Sequence, residues 1–308
     1  MPSVPLVSVV IPFYNAERFL SEAVESVFAQ SFADWEMLLI DDGSTDAGTE
    51  IALGCAARRP NQVRYLAHAG HANLGSSASR NAGFAAAQGE WTAMLDADDV
   101  WLPDKLQQQL ELAEKLNVDA VIGAPLYWAS WEENATVADD TPGHGLAPGV
   151  VYRPNELALR LYPLGALPAP CPSDLFVHTA ALRRVGGYEP EFRGVYQLYE
   201  DQALLSKLYL SATFAAADRR WTLYRLHGGS CSAAVARTAQ YDEVRHYFLR
   251  WLQRYYSTRG VADDRLQRAL SQALEPYEHP LRHFIRRAPG RAVRWARRRL
   301  TAPLAPAD

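Results

Sequence analysis

Two groups of carboxylates in this chain are spaced for shared chemistry. Asp41-Asp42 runs into Gly43-Ser44, and Asp96, Asp98 and Asp99 crowd into one short stretch. Each group ends an apolar run that reads as a strand, Trp35–Ile40 and Trp91–Leu95. Carboxylates this close repel one another unless a positive charge joins them. A hard divalent cation such as Mg2+ or Mn2+ is the usual partner, and it commonly brings phosphate oxygens with it. The structural alternative for either group alone is a turn or a helix cap. Two groups at neighbouring strand ends favour a ligand site, because open parallel sheets bind ligands beyond the carboxyl ends of their strands. No GxGxxG follows the first strand and no GxxxxGK[ST] occurs. A nucleotide bound here is therefore held by carboxylates and metal rather than by a glycine-rich cradle.

The elements that must position these acids alternate. Leu6–Pro12 is a β-branched strand, and Asn15 is placed to cap a helix over Ala16–Gln30. The apolar residues Phe19, Leu20, Ala23, Val24, Val27 and Phe28 recur there at helical spacing. Asp46 is placed to cap a helix over Ala47–Arg58, and Val63–Leu66 is a third strand. Ser76 or Ser77 opens an alanine-rich helix ending at Gly89. Pro103 suits the first turn of a helix to Leu116, and Val118–Gly123 makes a fifth strand. This alternation predicts an α/β fold, a mostly parallel sheet flanked by helices. After Ala124 the pattern changes to a polar loop at 129–150 and shorter elements, including Leu175–His178, Glu200–Leu210 and Trp221–Leu226. Beyond Gln240 the chain reads as helical, with Tyr247, Phe248, Trp251, Leu252, Tyr255 and Tyr256 as an aromatic face.

The 308 residues allow one large domain or two modest ones. With 48% hydrophobic and 21% charged residues the chain is ordinary globular protein, not a disordered tail, a collagen or a disulfide scaffold. Cys55, Cys171 and Cys231 lie far apart, which argues against a zinc knuckle and fits a reducing compartment. The apolar stretch Val4–Tyr14 is too short to span a bilayer, and no basic residue precedes it as in a secretory signal. Net charge is −4, yet eight arginines and no acid lie between His279 and Leu300. The rest of the chain carries 23 basic residues against 35 acidic ones. A basic tail on an acidic body predicts a separate partner for the tail.

Six segments occur in order: VSVVIPFYN (7–15), LLIDDGSTD (38–46), NLGSSASRNAGFAAAQGEWTAMLDADD (73–99), GGY (186–188), YED (199–201) and YRLHGGSCS (224–232). Together they resemble the family 2 glycosyltransferases over roughly residues 5–232. The resemblance implies a GT-A-type, Rossmann-like fold with a C-terminal helical extension. It divides the chain into a nucleotide-sugar half (1–125), an acceptor and catalytic half (126–235) and an extension (236–308). It implies a nucleotide-sugar donor, most readily a UDP-sugar, with Mn2+ or Mg2+ as cofactor. Pro12, Tyr14, Asp42, Arg80, Asp96 and Arg225 would contact the donor: Asp42 its base, Asp96 the ribose or a metal-bound water, Arg225 the diphosphate. Asp98 and His227 would hold the metal. Asp201 would be the general base, a role contributing roughly 10²–10⁴-fold, with Glu200 orienting it or the acceptor.

Each role has a structural rival. Asp41 reads as a turn residue and Asp99 as a helix cap. A salt bridge to an aspartate competes for Arg80. Glu200 and Asp201 could simply favour a helix N-terminus, which would lower the pKa of an exposed carboxylate. Trp128 and Trp131 are candidates for a sugar or acceptor platform, or for loop packing. Processive family members carry QxxRW and membrane spans; this chain has Arg219-Arg220-Trp221 without the glutamine. The resemblance therefore implies one sugar per encounter, by inverting transfer to a hydroxyl of a glycan or lipid-linked acceptor in surface polysaccharide or glycoconjugate synthesis. The rival functions are an inactive GT-A-fold binding module and a glycoside hydrolase using two carboxylates. Residues 291–300 form a basic amphipathic pattern suited to an anionic membrane surface, reached through 279–300, or to the acidic body. The expected location is cytoplasmic, peripheral at the membrane face, with no nucleic-acid partner.

Overall fold

The structure is a computed structural model that describes residues 4–230 and 240–287. Its strands are β1 (Val7–Phe13), β2 (Trp35–Asp41), β3 (Val63–Ala67), β4 (Trp91–Met94), β5 (Val100–Trp101), β6 (Ala120–Ile122), β7 (Leu126–Trp128), β8 (Val151–Tyr152), β9 (Phe176–His178), β10 (Phe214–Ala216) and β11 (Thr222–Arg225). The helices are α1 (Leu20–Phe28), α2 (Gly48–Arg58), α3 (Ser76–Ala86), α4 (Lys105–Leu116), α5 (Glu156–Arg160), α6 (Thr179–Val185), α7 (Glu200–Tyr209), α8 (Tyr241–Thr258), α9 (Asp264–Glu278) and α10 (Pro280–Arg287). The chain divides into two compact units, with the boundary along the sequence between Val244 and Arg245.

An eight-stranded sheet runs β3-β2-β1-β4-β9-β6-β10-β8. β1 pairs in parallel with β2 and β4, and β2 with β3. β1 and β2 are buried along their whole length, as a sheet covered on both faces requires. α3 lies close because Gly83 has no Cβ: an added one would come within 2.4 Å of Val10 Cγ1 and 3.0 Å of Ile40 Cδ1. The parallel expectation stops at β9, which is antiparallel to both β4 and β6. Its insertion brings the turn at Pro172–Asp174 under the acidic loop after β4. There Ser173 Oγ accepts from Asp96 N at 3.0 Å and donates to Asp99 Oδ2 at 2.5 Å. A second sheet, β5-β11-β7, joins the end of the same loop to the segment carrying Arg225.

Several local expectations change in the folded chain. Asn15 does not cap α1, which starts at Leu20. It takes a left-handed backbone (φ 49°), and its Oδ1 accepts from Thr45 N at 2.8 Å, tying the β1 loop to the β2 loop. Asp46 accepts from Gly48 N, the first residue of α2, at 2.9 Å, but the cap position itself falls on Ala47 and not on Asp46. Ser76 and Ser77 open α3, but their hydroxyls reach across to Glu200 instead of capping. Behind the site, Lys105 and Asp174 form a buried ion pair at 3.7 Å; burial pulls the Lys105 ammonium down to about 8.

In the C-terminal unit Phe248, Trp251, Leu252 and Tyr256 are buried, so the expected aromatic face is a packing face. Asp263 caps α9, accepting from Arg265 N at 2.9 Å. On α10, Leu281 and Phe284 are 74% and 61% exposed. The predicted amphipathic helix over 291–300 lies outside the described residues. Among the described residues no helix is long and apolar enough to cross a membrane.

Candidate active site

A cavity of about 650 Å³ opens at the carboxyl ends of β1, β2 and β4. This is where an open parallel sheet is expected to bind a ligand. Its wall includes Pro12 and Tyr14 after β1, Asp42 after β2, Arg80 on α3, Asp96 and Asp98 after β4, Glu200 and Asp201 on α7, and His227 after β11. Of the ten residues named from the sequence, all but Arg225 line this one cavity.

Asp41 and Asp42 have separate jobs. Asp41 is fully buried and accepts from Ser44 N, Thr49 Oγ1 and Tyr65 OH, with His71 Nε2 at 3.1 Å. Burial pushes its carboxyl up, but these hydrogen bonds outweigh burial and hold it at about 2. It is a structural turn residue, as expected. Asp42 faces the cavity while its oxygens accept from Leu74 N (2.8 Å) and Gly75 N (3.0 Å). A carboxylate has about four lone-pair sites, so it keeps acceptor capacity for a ligand.

Arg80 takes the role its rival reading gave it. Its guanidinium is buried and ion-paired to Asp96 Oδ1 at 2.6 Å and Glu200 Oε1 at 2.5 Å. Glu200 also accepts from Ser76 and Ser77, each at 2.6 Å. Glu200 is therefore anchored, and Arg80 is the counter-charge shared by the two carboxylates between which it sits. Burial pushes the Asp96 carboxyl up, with Arg80 pulling against it.

Asp201 corrects the helix-terminus argument. It sits at the start of α7, but the site encloses it too well for the dipole to decide its charge. Burial, opposed by Arg80 and reinforced by Glu200 and Asp96, pushes its carboxyl up to about 7. A carboxylate with that proton affinity can take a proton at neutral pH and release it again.

The loop after β4 is held by residues from three other segments. Asp99 does not cap α4. It is buried, accepting from Arg225 N at 2.9 Å and from Ser173 Oγ, and burial raises its carboxyl well above the usual range. Arg225 is also corrected, because it does not line the cavity. Its Nη2 donates to Glu22 Oε2 at 2.5 Å and its Nε to the Asp98 carbonyl at 2.7 Å. The guanidinium lies against the rings of Phe19, Trp128 and Trp131 at 4.5–4.9 Å. Those tryptophans are thus a clamp on Arg225 and not a sugar platform on the cavity wall; Trp131 Nε1 also donates to Leu226 O at 2.9 Å.

That clamp presents Asp98 and His227. Asp98 Oδ2 and His227 Nε2 are 2.9 Å apart on the cavity wall, and the Phe19 ring lies 5.0 Å from the imidazole. No group of three His, Cys, Asp or Glu side chains able to hold a metal ion occurs among the described residues. The donor set is one carboxylate and one imidazole. It fits an ion that takes its remaining ligands from phosphate oxygens and water, as Mg2+ and Mn2+ do.

Residues 8–172 match the model for Glycosyl transferase family 2. The chain belongs to that family. It is 42% identical over 116 residues to an uncharacterized glycosyltransferase, alr2836, of Nostoc sp., covering 38% of this chain and 35% of that protein. It is 35% identical over 118 residues to an Escherichia coli UDP-Glc:alpha-D-GlcNAc-diphosphoundecaprenol beta-1,3-glucosyltransferase, WfgD, covering 38% of this chain and 45% of that protein. The matches therefore span less than half the length of these relatives. Residues 1–349 of S. aureus TarS, solved in complex with UDP, align at a TM-score of 0.62 and 17% identity, covering 94% of this chain and 77% of that one. That likeness shows the GT-A fold.

Sequence reasoning missed Tyr188, Ser173 and Glu22. Tyr188 had a signal in the GGY segment; Ser173 and Glu22 had none, since each acts on a partner far away in the sequence.

Proposed function

We propose that the chain is an inverting, metal-dependent glycosyltransferase that moves one sugar from a nucleotide sugar to an acceptor hydroxyl. The observation that carries this reading is the convergence of Asp42, the Asp98–His227 pair and Asp201 on one cavity. Asp42 follows the carboxyl end of β2 and accepts from the base, for which uracil offers an N–H donor. Asp96 lies beside the ribose. Asp98 and His227 would hold Mn2+ or Mg2+, which when bound stabilises charge on the leaving diphosphate. Asp201 receives the acceptor's proton as its oxygen attacks the anomeric carbon opposite the diphosphate, and Glu200 holds the start of α7 in place. TarS with UDP and the UDP-Glc-named WfgD support a UDP-linked donor. WfgD, whose name specifies a diphosphoundecaprenol acceptor, supports a lipid-linked glycan acceptor.

A lipid-linked acceptor places the reaction at a membrane surface, on the cytoplasmic side where nucleotide sugars are found. The exposed Leu281 and Phe284, continuing into the arginine-rich sequence, suit an anionic lipid surface there.

Calorimetry on the intact chain tests the donor site. UDP, GDP, CDP and ADP are titrated with and without Mn2+, and again into Asp98→Ala. The expected result is Mn2+-dependent binding of UDP that the variant loses. Folded protein that binds none of the four would overturn the donor-site assignment.

A further inference from the structure

The GGY turn reaches the reacting end of the site through one hydroxyl. Gly186 and Gly187 both have left-handed backbones (φ 77° and 65°), and Gly186 ends α6. Asn81 on α3 then grips the next peptide from both sides: its Oδ1 accepts from Tyr188 N at 2.7 Å and its Nδ2 donates to Tyr188 O at 2.9 Å. The Tyr188 ring is buried, stacked on Phe84 at 5.9 Å and lying under the Arg80 guanidinium at 5.0 Å. With backbone and ring both fixed, the phenol has little freedom. It reaches Asp201 Oδ1 at 2.9 Å and Met94 Sδ at 3.5 Å. Its single proton goes to the nearer, anionic acceptor.

We propose that Tyr188 is a positioning residue for the base: its O–H fixes the orientation of the Asp201 carboxylate and stabilises its ionised form. This rests on the reading of Asp201 as the base. The other groups facing Asp201 are Arg80 from α3, Asp96 from the loop after β4, its own neighbour Glu200, and Cys171, which lines a small cavity with Asp201 and Tyr188. Arg80 is already shared between Asp96 and Glu200. Tyr188 supplies the direct neutral donor to Asp201, and a hydrogen bond to the charged form lowers a carboxyl's proton affinity. Removing it raises the pH at which the base becomes ionised. Tyr188→Phe keeps the ring, its stack on Phe84 and its contact with Arg80, and deletes only the hydroxyl.

The test is a titration of the full chain carrying ¹³C-carboxyl aspartate, followed by NMR, with Asp201→Asn identifying the Asp201 resonance. In the native chain this signal should titrate near 7. In Tyr188→Phe the midpoint should move up by about one pH unit. A 3-fluorotyrosine placed at residue 188 has a more acidic phenol, donates more strongly and should move the midpoint down. A midpoint unchanged in both proteins would overturn the proposal. Hydrolysis of UDP-glucose to UDP and glucose with Mn2+, in which water takes the glucosyl group and gives its proton to the base, tests the base separately. Release retained in Asp201→Asn would refute the base assignment while leaving the Tyr188–Asp201 coupling intact. Loss of release in Asp201→Asn, with no midpoint shift in the Tyr188 proteins, would refute the positioning role alone.

Discussion

Replacing Arg80 with methionine should destabilise the chain in a strongly pH-dependent way. Arg80 is buried and is the cation between Asp96 and Glu200, at 2.6 and 2.5 Å. Methionine roughly fills the space but leaves both carboxylates without a counter-charge. Removing one partner of a buried ion pair costs about 3–5 kcal/mol, a large share of the roughly 5–15 kcal/mol that holds a domain folded. The cost depends on the acids being ionised. Without Arg80 the folded proton affinity of Asp96, which burial already raises, climbs further above its unfolded value, so the folded variant takes up protons that the unfolded state does not. Stability relative to the native chain then falls as pH rises through the window between those two affinities. Urea unfolding followed by tryptophan fluorescence should show the full loss at pH 8 and a much smaller one at pH 5. Arg80→Met/Glu200→Gln should recover part of the loss at pH 8, since one of the two orphaned charges is gone. A deficit below about 1 kcal/mol at pH 8, or one equal at both pH values, would refute this account of the network.

Two further outcomes follow from the packing around the site. Arg225→Ala should weaken Mn2+-dependent UDP binding by about 10–100-fold although Arg225 lies outside the cavity, because it holds the Asp98 backbone. Arg225→Lys should not restore binding in the same calorimetric titration, since an ammonium cannot stack on the three rings while donating to both Glu22 and Asp98. Gly83→Ala should destabilise by about 1–3 kcal/mol in urea. The methyl meets Val10 of β1 and Ile40 of β2, which outweighs a helix-propensity gain of about 1 kcal/mol.

Much of the donor side of the site was legible because it is built from strand ends. A buried parallel strand is a continuous apolar run, and what stops it is a polar residue at its carboxyl end. Asp42, Asp96 and Asp98 could therefore be placed in one crevice from local pattern alone. The same logic failed at β9, a three-residue strand whose antiparallel insertion between β4 and β6 follows from no local periodicity. It failed at Asn15 as well, where hydrogen bonds to a loop some thirty residues away displace the cap.

The sequence by itself determined the alternation of elements, the family and nine residues of the cavity wall: residue type and short-range spacing marked the acids after β2 and β4, and the family resemblance supplied the others. Tertiary structure alone decided what each charge does there. Arg80 and Arg225 have the same side chain, and both were placed on the donor. Folding commits one to Asp96 and Glu200 on the cavity wall, and the other to Glu22 and an aromatic clamp behind it. Asp201 opens a helix, where local reasoning expects an easily ionised acid, yet its enclosure beside Glu200 and Asp96 makes it hold its proton to about 7. Desolvation and charge–charge coupling depend on which groups become neighbours in space, and no spacing along the chain encodes that.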